Sequence, residues 1–133
     1  MYVFKYSAES CRSGIINRPK ATILLWSKTH EWHPFRVYID SGADISLFRR
    51  NDAALLGLNL SEGEYYPIIG IGRILIPTYV HTVKMKIGDT ALDVKAGFAD
   101  SDEVPRLLGR KDVFSHFKIT FCEKELEIIF ETT

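Results

Sequence analysis

Apolar residues recur at every second position over much of this chain. Val83, Met85 and Ile87 alternate with Thr82, Lys84 and Lys86, and Leu92, Val94, Ala96 and Phe98 alternate with Asp93, Lys95 and Gly97. Phe35, Val37 and Ile39 repeat the pattern earlier. A strand sends successive side chains to opposite faces, so this period describes half-buried strands and excludes helices over these stretches. Gly88-Asp89 punctuates the first two stretches as a turn. The continuous apolar run from Ala21 to Trp26 is short enough for a buried strand, and Ile45 to Phe48 reads as extended. Ile119-Thr120-Phe121 and Leu126 to Phe130 form a closing hairpin about Glu123-Lys124. Many short strands with turn signals between them argue for an all-β domain, closed or sandwiched.

Helical signals are few. Asn51-Asp52-Ala53-Ala54-Leu55-Leu56 has an Asn/Asp start and stops at Gly57. Lys111 to Phe117 reads as about two helical turns with Val113, Phe114 and Phe117 on one side. Asp100 to Pro105 reads as a polar surface loop. The 133 residues fit one domain, and 46% hydrophobic residues supply a core without staples. Residues 20–133 carry the readable pattern; residues 1–19 form an N-terminal arm of uncertain structure, mobile or partner-contacting.

Seventeen basic residues balance 17 acidic ones for a net charge of +0, which argues against a nucleic-acid or anionic-membrane partner. Arg49-Arg50 and the alternating Lys84 and Lys86 read as solvated strand faces. Cys11 and Cys122 lie far apart and make no disulfide framework; Cys122 reads as a small core residue. Met1 to Lys5 lacks the apolar region of a signal peptide and no run reaches membrane-span length. A reduced cytoplasmic setting is the expectation. His30-Glu31-Trp32-His33 invites a metal reading, but the segment leads through Pro34 into a strand with no third ligand nearby, so no metal site is expected. His81 and His116 read as packing or surface residues. Gly70-Ile71-Gly72 has no following Lys-Ser/Thr or helix start, so it is not a phosphate loop.

The strand through Phe35, Val37 and Ile39 runs straight into Asp40-Ser41-Gly42-Ala43-Asp44. An acidic residue is thus delivered at the end of a buried strand, where a carboxylate is costly unless something uses it. Asp-Ser-Gly alone is also ordinary turn chemistry. Two later segments add to it. Tyr65 to Ile69 and Ile74 to Pro77 flank Gly70-Ile71-Gly72-Arg73, an apolar hairpin with a glycine tip that needs something to cover. Leu107-Leu108-Gly109-Arg110 follows.

These three segments, in this order, resemble the active-site loop, the flap tip and the hydrophobic-hydrophobic-Gly segment of the retropepsin-like aspartic proteases. The resemblance runs from about Phe35 to Phe130. It implies a closed β-barrel of the acid-protease type with one or two short helices. It implies an aspartic endopeptidase that needs no cofactor and acts on peptide or protein substrates. Such chemistry takes two carboxyl groups sharing a proton, and this chain offers one, Asp40; Asp89-Thr90-Ala91 lacks the glycine and reads as a hairpin turn. The second copy therefore comes from a homodimer. In that arrangement Asp40, Ser41 and Gly42 are the catalytic set. Ala43, Asp44, Ile69, Gly70, Ile71 and Gly72 bound the substrate, and Gly109 and Arg110 support the loop, with an Asp44–Arg110 ion pair. Ile39 adds to an apolar groove. Arg73, where the family often has glycine, narrows the opening or pairs with an acidic group. The rival expectation is a catalytically silent module of the same fold that binds peptide or dimerises.

Overall fold

A computed structural model describes residues 1–133. The elements run β1 (Tyr2–Lys5), β2 (Ser7–Cys11), β3 (Gly14–Arg18), β4 (Lys20–Trp26), β5 (Trp32–Ile39), β6 (Ser46–Phe48) and α1 (Arg50–Leu55). They continue with β7 (Glu64–Tyr65), β8 (Ile68–Ile69), β9 (Leu75–Ile76), β10 (Thr78–Ile87), β11 (Thr90–Ala99), β12 (Leu107–Leu108), β13 (Phe117–Cys122) and β14 (Glu127–Thr132). The protein is mostly β, as the alternation requires.

The main sheet has the order β11-β6-β12-β5-β4-β10-β7, and β10 also pairs with β11 along its length, from Thr78↔Ala99 to Ile87↔Thr90. β12 is parallel to β5 and antiparallel to β6, and its register sets Leu108 beside Ile39. That pairing brings the Leu107–Arg110 segment against the end of β5, which lies 69 residues earlier in the chain at the Leu108↔Ile39 pair. The alternating apolar residues face one core: Ile23, Leu25, Val37, Met85, Ile87, Val94 and Phe98 are fully buried. Phe48 stacks on Phe98 with centroids 5.5 Å apart and meets Phe35 edge-on at 5.7 Å. No helix is long and apolar enough to cross a membrane.

Residues 1–19 take regular structure. β1 pairs antiparallel with β14, and Phe4 packs edge-on against Phe130 at 5.5 Å. β2 and β3 form a separate hairpin, with every residue of β3 exposed. Glu9 fastens this hairpin to the body: its carboxylate accepts from the Tyr38 hydroxyl (2.8 Å) and pairs with Lys20 Nζ (2.9 Å). The bonds from Lys20 and then Tyr38 hold the Glu9 carboxyl below its ordinary range.

Four expectations need correction. The two-turn helix over Lys111–Phe117 is absent; a single 3₁₀ turn spans Phe114–His116. Asp112 takes a left-handed conformation (φ 63°) and its carboxylate accepts from the Lys95 amide (3.0 Å), which stops helical propagation. The Asp100–Pro105 loop is not merely a surface loop, because Val104 is buried in a small cluster with Leu47 and Ala99. Arg49 and Arg50 bind that loop rather than standing as a solvated face. Arg50 pairs with Asp100 (3.1 Å) and Asp102 (3.4 Å), and Arg49 Nε donates to the Val104 carbonyl (2.7 Å). Cys122 is half-buried rather than a core residue, since it lies outside the buried set of the β1-β14-β13 sheet. Both cysteines are free.

Candidate active site

Asp40 follows β5 directly, so the strand's own hydrogen bonds fix its backbone. Ile39 N donates to the Pro19 carbonyl (2.9 Å), and Asp40 N donates to the Leu108 carbonyl (3.0 Å). The chain then reverses, with Ala43 N bonded to the Asp40 carbonyl (3.2 Å). The Asp40 carboxylate accepts from Gly42 N (2.9 Å), the local Asx bond that suits an Asp-x-Gly turn. Ser41 and Gly42 are exposed at the tip, while Asp40 is half-buried.

A second segment latches this loop. Arg110 N donates to the Ala43 carbonyl (3.0 Å) and Lys111 N to the Asp44 carbonyl (2.9 Å). Gly109 N donates to the buried Ser46 hydroxyl (3.0 Å). Two glycines permit the close approach. A Cβ on Gly109 would lie 2.3 Å from the Ile45 carbonyl oxygen, so no other residue fits there. A Cβ on Gly42 would lie 3.2 Å from Asp40 Oδ1, pressing on the carboxylate. The Asp44–Arg110 ion pair is present, with both side chains largely in solvent. A pair so exposed contributes little to stability.

Two cavities adjoin the loop and share Leu107. One, of about 400 Å³, contains Asp40 together with Arg18, Pro19, Tyr38, Ile39 and Pro105. The other, of about 380 Å³, is largely apolar and runs from Ala43 and Asp44 past Leu47 to Tyr66, Ile68 and Ile69. The second is roofed by the Ile68–Ile76 hairpin. β8 pairs with β9, Gly70 N donates to the Ile74 carbonyl (2.8 Å), and Gly72 and Arg73 both adopt positive φ (80° and 61°) at the tip. Of the expected flap residues, Ile69 lines the cavity, Gly70 packs toward Ile76, and Ile71 is 99% exposed at the tip with Gly72. Arg73 is exposed and makes no ion pair, so it neither narrows the cavity nor neutralises a carboxylate.

Two supporting groups escaped the sequence reading. Ser46 sits alone in an apolar run, where a serine gives no signal. Asp52, 3% exposed, takes a bidentate bond from Arg106 (2.8 and 3.0 Å), and this bond holds the Arg106 guanidinium above its ordinary range. Arg106 N-terminally flanks β12, so the pair anchors the latch to α1. An isolated Asp and Arg 54 positions apart leave no pattern to read. His30 lies in a turn beside Trp26, ring centroids 6.0 Å apart, and no group of three or more metal-ligating side chains surrounds it.

Comparison with known proteins gives a consistent result. A family model described as "Aspartyl protease" matches residues 29–111, which include the Asp40 loop, the hairpin and the Gly109 segment. Among solved structures, EIAV protease complexed with an inhibitor is similar at 25% identity, covering 70% of this chain and 82% of that one, with a TM-score of 0.53. A retropepsin-like aspartic protease from Rickettsia conorii is similar over 97% of this chain and 99% of that one, with a TM-score of 0.65 and 19% identity; that likeness concerns the fold. No curated protein sequence matches the chain.

Proposed function

This chain belongs to the aspartyl protease family, and from that premise we propose that it is a retropepsin-like endopeptidase whose active site is shared by two subunits. The observation that carries the reading is the latched Asp40 loop: one carboxylate, on a loop held by backbone bonds from two segments, lining a cavity that shares Leu107 with the hairpin-roofed one. One carboxylate is half of the required dyad. A two-fold axis beside Ser41 and Gly42, both exposed, would bring a second Asp40 to it. Like charges about 3 Å apart cannot both ionise. One Asp40 then takes the proton of the attacking water while the other, protonated, polarises the scissile carbonyl. Ser41 joins the hydroxyl network beneath the two loops, Gly42 lets them meet, and Ala43 keeps the substrate side narrow. Asp44, Ile69, Gly70, Ile71 and Gly72 close on the peptide, while Gly109 and Arg110 support the loop. The chemistry uses no metal or organic cofactor.

The strand pairings support a closed barrel, since β10 pairs with both β4 and β11 at the two sides of the main sheet. We assign the catalytic unit to residues 20–133, with residues 1–19 as an appended strand and hairpin. Two free cysteines favour a reducing, cytoplasmic setting. A silent binding or dimerisation module is the second reading. It is favoured by one observation: β1 and β14, the first and last strands, pair with each other within one subunit rather than standing free for a partner. Cleavage of an unbiased peptide library by the wild-type protein and by Asp40→Asn separates the two. Loss of cleavage in Asp40→Asn supports the protease, and a wild-type protein that binds but never cleaves supports the module. Ser41→Ala should impair activity less than Asp40→Asn.

A further inference from the structure

Next to the Asp40 cavity lies a cleft of different character. It has a volume of about 310 Å³ and meets that cavity at Tyr38 and Pro105. Four cations line it, Lys20, Arg36, Arg49 and Arg106, against a single carboxylate, Glu103. For a chain of balanced charge this is a concentrated positive field.

Two of the four cations are already neutralised. Arg106 is held by Asp52, and Lys20 by Glu9, with its ammonium also 4.4 Å from the centre of the Tyr38 ring. Arg36 and Arg49 have no carboxylate partner. Arg36 donates to the hydroxyls of Thr22 (3.2 Å) and Ser7, and Arg49 donates through Nε to the Val104 carbonyl. A guanidinium carries five N–H donors in a rigid fork matched to carboxylates, so donors remain on each. Glu103 faces them from the exposed loop and forms no ion pair.

The position relative to Asp40 follows from the strand. Arg36, Tyr38 and Asp40 alternate along one face of β5 and its end. Four residues at about 3.3 Å each put Arg36 about 13 Å from Asp40. An extended peptide has the same rise, so its side chain about four residues from the reacting bond reaches the same distance.

We infer that this cleft is a remote subsite for an acidic side chain of the peptide substrate, three to five residues from the scissile bond, with Arg36 and Arg49 as its specificity-determining residues. The inference rests on the protease reading for the identity of its occupant. Both guanidinium groups keep contact with water, so the preference is modest and salt-dependent.

The test uses two readouts on the full chain. Peptides differing only by Glu or Gln at each of those positions are compared for kcat/KM with the wild-type protein, and for binding by fluorescence anisotropy with Asp40→Asn. The expected Glu-over-Gln ratio is about fivefold at low salt, the size of one exposed ion pair. It should fall toward one at about 0.5 M salt, where charges are screened within a few ångströms. It should also fall toward one in Arg36→Gln and in the Arg36→Gln/Arg49→Gln double variant. Arg36 makes only exposed bonds, so its single variant remains informative if the loss of the Arg49–Val104 bond disturbs the fold. A ratio near one for the wild-type protein in both readouts overturns the subsite and leaves the protease reading standing. Preferential binding of the Glu peptide without cleavage of any peptide supports the subsite and removes the protease reading. A preference that survives both substitutions while self-association weakens overturns the inference, because the cleft would then be a contact between subunits.

Discussion

The floor and the roof of the candidate site are built in opposite ways. The floor, Asp40 to Ser46 against Leu107 to Lys111, is cross-linked by backbone bonds from both segments, and Ser46, Leu108 and Gly109 are buried. The roof, Glu64 to Pro77, contains no buried residue at all; Tyr65, Ile69, Ile71, Ile74 and Leu75 are each more than half exposed. Large apolar groups left in water on a thin hairpin lower the cost of moving it and raise the gain from covering a peptide. In the proposed protease the fixed loop would position the attacking water, and the adaptable hairpin beside it would admit varied side chains. Changes in the floor should therefore act on chemistry or on folding, and changes in the roof on turnover with little loss of stability.

The largest effect expected is from Asp40→Asn. Asparagine keeps the shape and can still accept the Gly42 amide bond, but it cannot serve as base or share a proton. Cleavage should fall by about a thousandfold or more with the melting temperature nearly unchanged. Undiminished hydrolysis would remove Asp40 from the mechanism.

Arg106→Ala breaks the floor from behind. It leaves the buried Asp52 carboxylate without a charge partner, keeping only the Arg49 amide bond, at a cost of about 3 kcal/mol in chemical denaturation. Gly109→Ala drives a methyl into the Ile45 backbone and should cost about 3 kcal/mol. If either variant melts like the wild type, the latch is not what holds the loop.

Gly72→Ala tests the roof. The substitution strains a residue at φ 80° by about 1 kcal/mol, yet the tip touches nothing, so kcat/KM should fall while global stability stays close to wild type. A loss of stability matching the floor variants would show the two regions to be one cooperative unit. Arg110→Ala should cost less than about 1 kcal/mol, because its partner Asp44 lies in water.

The smallest effect expected concerns pH. Glu9 is held below its ordinary pKa in the folded protein, so its contribution is present above the unfolded carboxylate value and is lost as pH falls through the lower folded one. Amide exchange in β2 and β3, compared at matched chemical exchange rates, should accelerate under acid before the core opens. Exchange that is uniform across the molecule would deny Glu9 its anchoring role.

Much of this architecture was legible in the sequence because alternation records burial. Strands β5, β10, β11 and β14 each have one face inside, and the pattern follows. The β2–β3 hairpin was illegible for the same reason in reverse: β3 is exposed on every residue, so no period appears. The short helix over Lys111–Phe117 was misread because apolar spacing cannot reveal that Asp112 spends its carboxylate on Lys95. In the site, the Asp40 turn and the Gly109 segment carried their own chemistry in the sequence. Ser46 and the Asp52–Arg106 pair act across the fold and could be found only once the sheet had brought distant segments together.

The shared dyad is the central claim, and specific activity measured across a dilution series, with sedimentation at the same concentrations, tests it most directly. Activity per molecule should rise with concentration in step with the dimer fraction, under a bell-shaped pH profile with one carboxyl ionised and its twin protonated. Excess Asp40→Asn should suppress it through mixed dimers. Constant activity per molecule from a species that sediments as a monomer throughout would contradict the account.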